Sequence, residues 1–266
     1  MNGKEKLTVP VLREYKRREE KIACLTVYDS TFARLLDHCG VEVLLVGDSL
    51  GMVIQGHGTT VPVTLADMIY HTSCVTRVVN RSLVVSDLPF ASYVTPFQAV
   101  ESATKLLQAG ARMVKLEGGR SRLEVVRALV AEGIPVCGHL GLLPQFIHRL
   151  GGYRVQGRDA PDAQYLLEEA CLLEEAGIDL LVLECIPGTL AETVTADVSV
   201  PTIGIGAGGC CDGQVLVLYD MLGMGGESPP RFVRDFLAGS GTIEGALRAY
   251  VKAVKEGSFP ASEHGY

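Results

Sequence analysis

The sequence predicts a (β/α)8 barrel, the TIM-barrel class, and three observations carry that reading. Short runs rich in Val, Ile and Leu alternate with longer segments of helical period along the chain. The short runs are apolar nearly throughout, the pattern of parallel strands covered on both faces. Eight such runs fit within 266 residues, and parallel strands joined by right-handed crossovers around a closed sheet make a barrel. A doubly wound open sheet is the competing architecture for the same rhythm.

The elements follow in order. The start, Met1 to Ile22, is rich in Lys, Arg and Glu, and Val9-Pro-Val-Leu12 marks an extra helix packed on the barrel. The first two strands are predicted over Ile22–Asp29 and Glu42–Asp48. Thr64 with Asp67 has the spacing of a capping box and opens a helix before the third strand, Ser82–Leu88. Thr95-Pro96 starts the next helix and Gly110 ends it, followed by a fourth strand over Arg112–Glu117. Ser121 with Glu124 repeats the capping-box spacing, Gly133 ends that helix, and Pro135–Leu140 is the fifth strand. Asp159 through Pro161 opens a helix that Gly177 closes. Strands over Leu180–Glu184, Pro201–Ile205 and Gln214–Tyr219 complete the eight. The last is the least regular, since Val215–Tyr219 also fits a helix and Gly225 to Arg234 has no type readable from sequence. Thr242 to Gly257 reads as a closing helix. No linker or low-complexity stretch divides the chain, so residues 1–266 are expected to form one barrel domain.

Composition narrows the function. The chain is 47% hydrophobic and 21% charged, a globular balance with enough apolar residues for a large core. It has no apolar run of membrane-spanning length and no signal-like start, which places it in the cytoplasm. A net charge of −7 argues against nucleic acid as the partner. Eight scattered cysteines without a C-x-x-C pair fit buried free thiols in a reducing compartment.

The chemistry lies in acids at strand ends. Val43-Leu-Leu-Val-Gly-Asp48 carries a buried strand to an acid, and Leu83–Asp87, Met113–Glu117 and Leu180–Glu184 do the same. Barrel catalysis gathers at the C-terminal ends of the strands, so Asp48, Asp87, Glu117 and Glu184 should share one mouth. Lys115 stands two residues before Glu117, on the same face of its strand. Two carboxylates about 4 Å apart repel by about 4 kcal/mol at an effective dielectric near 20. A shared cation answers that repulsion, and oxygen donors favour Mg²⁺ over Zn²⁺. Each acid taken singly equally fits a helix cap or loop anchor. His139 and Tyr28 face the same end, where a structural role is the simpler reading. Ser49 offers a hydroxyl and a backbone N–H to a substrate carboxylate, or forms a plain turn. Gly204-Ile-Gly-Ala-Gly-Gly209 formally matches G-x-G-x-x-G, but no long helix pattern follows it, so dinucleotide binding is not expected.

These residues resemble the ketopantoate hydroxymethyltransferase family. The most specific stretches are Val46-Gly-Asp-Ser-Leu-Gly-Met52, Gln55-Gly-His57 through Thr60-Val-Pro-Val-Thr64, and Val114-Lys-Leu-Glu-Gly-Gly119. Gly138-His-Leu-Gly-Leu142, His148 through Arg158, and Ile203-Gly-Ile-Gly-Ala-Gly208 with Cys211 through Val217 extend the likeness over nearly the whole chain. The resemblance implies hydroxymethyl transfer from 5,10-methylenetetrahydrofolate to 3-methyl-2-oxobutanoate, through a Mg²⁺-stabilised enolate, in pantothenate synthesis. It further implies a cytoplasmic homo-oligomer, a decamer in well-known members. Asp48 and Asp87 would be metal ligands with Glu117 in the metal shell. Ser49, Lys115 and His139, together with Asp48 and Asp87, would bind the oxo acid, and Glu184 would accept the proton. A basic loop with Arg149, Arg154 and Arg158 is available for the anionic folate tail. Gly58, Leu143 and Gly209-Cys210 depart from the family pattern. Another Mg²⁺-dependent lyase or mutase of 2-oxo acids, or a non-catalytic ligand-binding barrel, are the other readings of the same residues.

Overall fold

Apolar residues on both faces leave a strand no solvent side, and the chain resolves this by closing its sheet on itself. The computed structural model describes residues 6–226 and 229–266. Met1 to Glu5 of the N-terminal arm, and Glu227 and Ser228 within the untyped segment Gly225 to Arg234, lie outside the described residues. The eight strands are β1 Ile22–Thr26, β2 Val43–Val46, β3 Leu83–Asp87, β4 Met113–Lys115, β5 Val136–Gly141, β6 Leu180–Glu184, β7 Thr202–Ile205 and β8 Gly213–Leu216. They form a closed barrel in chain order, with β8 paired to β1 and every pairing parallel.

The expected strands overrun the observed ones where apolar sequence continues beyond the ladder. Tyr28 stays buried after β1 has ended. Asp29 caps the helix Ser30–Cys39 by accepting from the backbone N–H of Thr31 and Phe32. The eighth strand starts one residue earlier than expected and stops at Leu216, and a short helix follows over Leu218–Met221. The capping box at Thr64 and Asp67 is formed, and Thr95 and Asp159 cap their helices. The second expected box is not. Ser121 sits inside a 3-10 turn, Arg120–Arg122, and the helix Leu123–Ala131 begins after it without a side-chain cap.

Charged residues close the N-terminal mouth. The helix Val9–Arg17 lies there, with Lys16 donating to Val200 O and pairing with Asp212, and Arg13 pairing with Asp179. Glu42 accepts from Ala23 N and pairs with Arg81 and Lys255. The helix Ile243–Lys255 seals the wall through Tyr250, whose hydroxyl donates to Cys24 O and Gln214 O. Acids at this end are therefore matched by cations and backbone N–H groups. They are structural.

Asp37 gives a test of that class. It accepts from the backbone N–H of Asn80, Arg81 and Ser82 and from the Ser82 hydroxyl. Burial pushes its pKa up, but these hydrogen bonds outweigh burial and hold it below its ordinary 3.8. A depressed folded-state pKa contributes stability that is present above the unfolded value and lost as pH falls through the folded one. Asp37→Ala should cost about 2 kcal/mol at pH 7 for a cluster of bonds to one partly exposed carboxylate. In urea denaturation its gap from the parent should close on the acid side of pH 3.8; a gap that persists there assigns the loss to packing.

Candidate active site

At the opposite mouth acids crowd around a single cavity with Lys115 and His139 among them. β2 ends at Val46 and turns at Gly47, where an added Cβ would lie 2.7 Å from Ser49 Oγ and press on that hydroxyl. That turn delivers Asp48 and Ser49 to the mouth. Asp87 ends β3, Lys115 ends β4 with Glu117 two residues on, His139 lies within β5, and Glu184 ends β6. All of these line one cavity of about 150 Å³, together with Thr26, Thr60 and Tyr153. Asp48, Asp87, Lys115, Glu117 and His139 are 1–4% exposed, so water does little to offset their charges.

The contacts run as a chain around the mouth. Asp87 Oδ2 accepts from Asp48 N at 3.0 Å, and Asp87 Oδ1 pairs with Lys115 Nζ at 2.9 Å. Asp48 Oδ2 accepts from Gln145 Nε2 at 2.8 Å, and Glu117 Oε2 accepts from Gln145 N at 3.0 Å. His139 stands between two acids, with Nδ1 3.6 Å from Glu117 Oε1 and Nε2 3.2 Å from Glu184 Oε2. These are ion-pair approaches; neither ring nitrogen has an aligned hydrogen bond within the described residues. The Ser49 hydroxyl meets the buried Tyr28 hydroxyl at 2.8 Å, and Tyr28 also donates to Thr26.

Electrostatics follow from this crowding. Burial, then Asp87 and Glu117, push the Asp48 pKa well up against the pull of Lys115 and Gln145. Burial opposes the Lys115 charge, but Asp87, Glu117 and Asp48 outweigh it and keep the ammonium charged. Burial and Lys115 likewise push His139 down, yet Glu117 and Glu184 win and raise it to about 9. The expectation that the acids would gather on a single point needs amendment. Among the described residues no group of three or more His, Cys, Asp or Glu side chains is placed to hold a metal ion. Lys115 and His139 stand between the acids and spread them, and Gln145 and His139 engage Glu117. Asp48 and Asp87 remain as the adjacent pair.

A second cavity of about 780 Å³ adjoins the first, and the two share Met52, Tyr153, Glu184 and Phe232. Arg154 and Arg158 line it, whereas Arg149 lines a separate cavity of about 280 Å³ beside Glu169, so the basic loop divides. The glycine run after β7 leads within a few residues to Gly213 of β8 instead of a helix, as expected. All eight cysteines are free, and Cys210 is exposed.

The sequence profile described as Ketopantoate hydroxymethyltransferase matches residues 6–262. The chain belongs to the ketopantoate hydroxymethyltransferase family. It is an enzyme. A 3-methyl-2-oxobutanoate hydroxymethyltransferase of Methylococcus capsulatus is 59% identical over 261 residues, covering 98% of this chain and 97% of that protein. A protein of the same name from Thiobacillus denitrificans is 57% identical, covering 98% and 99%. A phosphonopyruvate hydrolase solved with oxalate and Mg++ superposes with a TM-score of 0.61 over 79% of this chain and 80% of that one. At 10% identity it shares the fold alone. Gly58, Leu143, Gly209 and Cys210 are not among the residues that line the first cavity, and Leu143 lines the Arg149 cavity.

Sequence reasoning missed Gln145, Tyr93 and Thr60. Gln145 is a lone polar residue inside the apolar run Leu140 to Ile147, and that contrast was the available signal. Tyr93 donates to the Gln145 side chain. Thr60 is 3% exposed and lines the first cavity with its hydroxyl unbonded to any described residue.

Proposed function

We propose that this enzyme transfers a hydroxymethyl group from 5,10-methylenetetrahydrofolate to 3-methyl-2-oxobutanoate, giving 2-dehydropantoate. The observation that carries the reading is the paired cavities with Glu184 in their shared wall. The smaller suits a compact oxo acid. The larger, with Arg154 and Arg158, suits a bulky anionic donor.

The residues fit a divalent cation. Four carboxylates, Asp48, Asp87, Glu117 and Glu184, line the same buried cavity as Lys115 and His139, and the crowding that pushes the Asp48 pKa up is what a bound cation would relieve. The donors are carboxylate oxygens, which suit Mg²⁺. Asp48 and Asp87 would hold it, with Glu117 in its outer shell. When bound, the ion supplies Lewis-acid polarisation of the 2-oxo group.

The chain's own residues do the rest. Lys115 offsets the substrate carboxylate, and Ser49, whose hydroxyl is bonded to Tyr28, offers its backbone N–H to the same carboxylate. Glu184, beside His139, takes the C3 proton, and the resulting enolate attacks the one-carbon unit. Water supplies the hydroxyl oxygen as tetrahydrofolate leaves. On the family pattern the enzyme serves pantothenate and coenzyme A synthesis as a cytoplasmic homo-oligomer, a decamer. Among the described residues no helix is long and apolar enough to cross a membrane.

With Mg²⁺ and 3-methyl-2-oxobutanoate, 2-dehydropantoate should form only when methylenetetrahydrofolate is added. Folate-independent cleavage or rearrangement of the oxo acid points instead to lyase or mutase chemistry. Asp48→Ala and Asp87→Ala should each weaken Mg²⁺ binding by about a hundredfold or more in calorimetry, since even outer-shell partners are worth about 10–100-fold. Unchanged binding in both removes the metal assignment.

A further inference from the structure

We propose that Gln145 is a positioning residue that sets the separation and orientation of Asp48 and Glu117 for the divalent cation, with Tyr93 fixing its amide. Gln145 lies in the 3-10 turn Pro144–Phe146 after β5 and is 3% exposed. Its side-chain Nε2 donates to Asp48 Oδ2 at 2.8 Å and to Leu88 O at 3.0 Å. Its backbone N–H donates to Glu117 Oε2 at 3.0 Å. One residue thus ties the acid after β2 to the acid after β4 and to the backbone just beyond β3.

The amide can face only one way. Turned over, Oε1 would meet Asp48 Oδ2 and Leu88 O, two acceptors, and both bonds would become repulsions. Tyr93 holds the working orientation by donating to Oε1, and its oxygen accepts from Glu117 N at 3.3 Å. The Arg122 guanidinium lies 5.2 Å from the centre of the Tyr93 ring and steadies it.

The residue type is apt. A lysine here would neutralise Asp48 and compete with a metal, and a glutamate would set a further carboxylate against two others. A neutral donor orients Asp48 and leaves its charge for the cation.

This inference rests on the proposed divalent site, and the test separates the two. Mn²⁺ serves as probe, with free ion measured by electron paramagnetic resonance and folding checked by thermal denaturation. Gln145→Met keeps the volume and removes the amide; it should fold and bind Mn²⁺ about 10–100-fold more weakly. Tyr93→Phe should lose less, and adding it to Gln145→Met should cost less than it does alone, the remainder being the bond its oxygen accepts from Glu117 N. Folded Gln145→Met with parental Mn²⁺ affinity overturns the proposal, as does a Tyr93→Phe loss that adds fully to it. Asp48→Asn is the control. If it loses Mn²⁺ while Gln145→Met does not, only Gln145 is wrongly assigned; if both retain it, the metal reading falls and takes this one with it. Should Gln145→Met fail to fold, Tyr93→Phe decides, weakened Mn²⁺ binding supporting the proposal and parental binding overturning it.

Discussion

Glu184→Gln should bind Mg²⁺ as the parent does and lose turnover by about a thousandfold, within the span of about 10²–10⁴ that a positioned general base contributes. The argument begins from position. Glu184 ends β6, its side chain is 14% exposed, and it is the acid common to both cavities. A group that moves a proton between two bound molecules has to stand where both arrive. Cys185, the next residue, holds φ 48°, a left-handed conformation that costs a non-glycine residue on the order of 1–3 kcal/mol. The backbone is thus turned sharply just beyond the carboxylate, and His139 Nε2 stands 3.2 Å from Oε2. Glutamine keeps that shape and cannot accept the proton. Exchange of the C3 hydrogen of 3-methyl-2-oxobutanoate with deuterated solvent, measured without folate, then locates the step. If exchange stops in the variant, Glu184 is the C3 base; if it continues at the parental rate, Glu184 serves the new hydroxyl. A kcat within about tenfold of the parent is below what general-base catalysis contributes and removes the assignment altogether.

The barrel was legible because each strand is apolar on both faces, and the mouth was legible because acids end four such strands. What sequence could not supply was the conformation after the strands. Ser121 has capping-box spacing, yet the 3-10 turn over Arg120–Arg122 places it before the helix begins. Arg149 and Arg154 are five residues apart and line different cavities, because the backbone turns through Gly151 and Gly152 at φ 70° and 130°. Gln145 reaches Asp48 across 97 positions, and no local pattern encodes such a contact. The compensation of the acids was also only half visible. Repulsion pointed to one cation, whereas the fold supplies two of its own, Lys115 and His139, before any ion enters.

Lys115→Met should be the most damaging single change to the folded state. The ammonium is 4% exposed, pairs with Asp87 at 2.9 Å, and is the cation to which Asp87, Glu117 and Asp48 all contribute. Methionine approximates its length and fills the space, so the loss is electrostatic and not a cavity. Removing one partner of a buried ion pair costs about 3–5 kcal/mol, because the remaining charge is left without compensation. The acids here can escape by taking up protons, and the sign follows. Asp48, already pushed up by burial and its neighbouring acids, loses the Lys115 charge that pulls it down and rises further, so the variant gains stability relative to the parent as pH falls. Urea denaturation should therefore show the largest gap at pH 8 and a smaller one near pH 5. Mg²⁺ should narrow the gap at pH 8, since an ion bound only by the folded chain stabilises it by mass action and replaces the missing charge. The catalytic defect should not be rescued in step, because the substrate carboxylate would still lack its own cation. A loss below about 1 kcal/mol at every pH, the range of an exposed pair, would mean that the acids are solvated and the mouth is not the desolvated electrostatic trap that the chemistry requires.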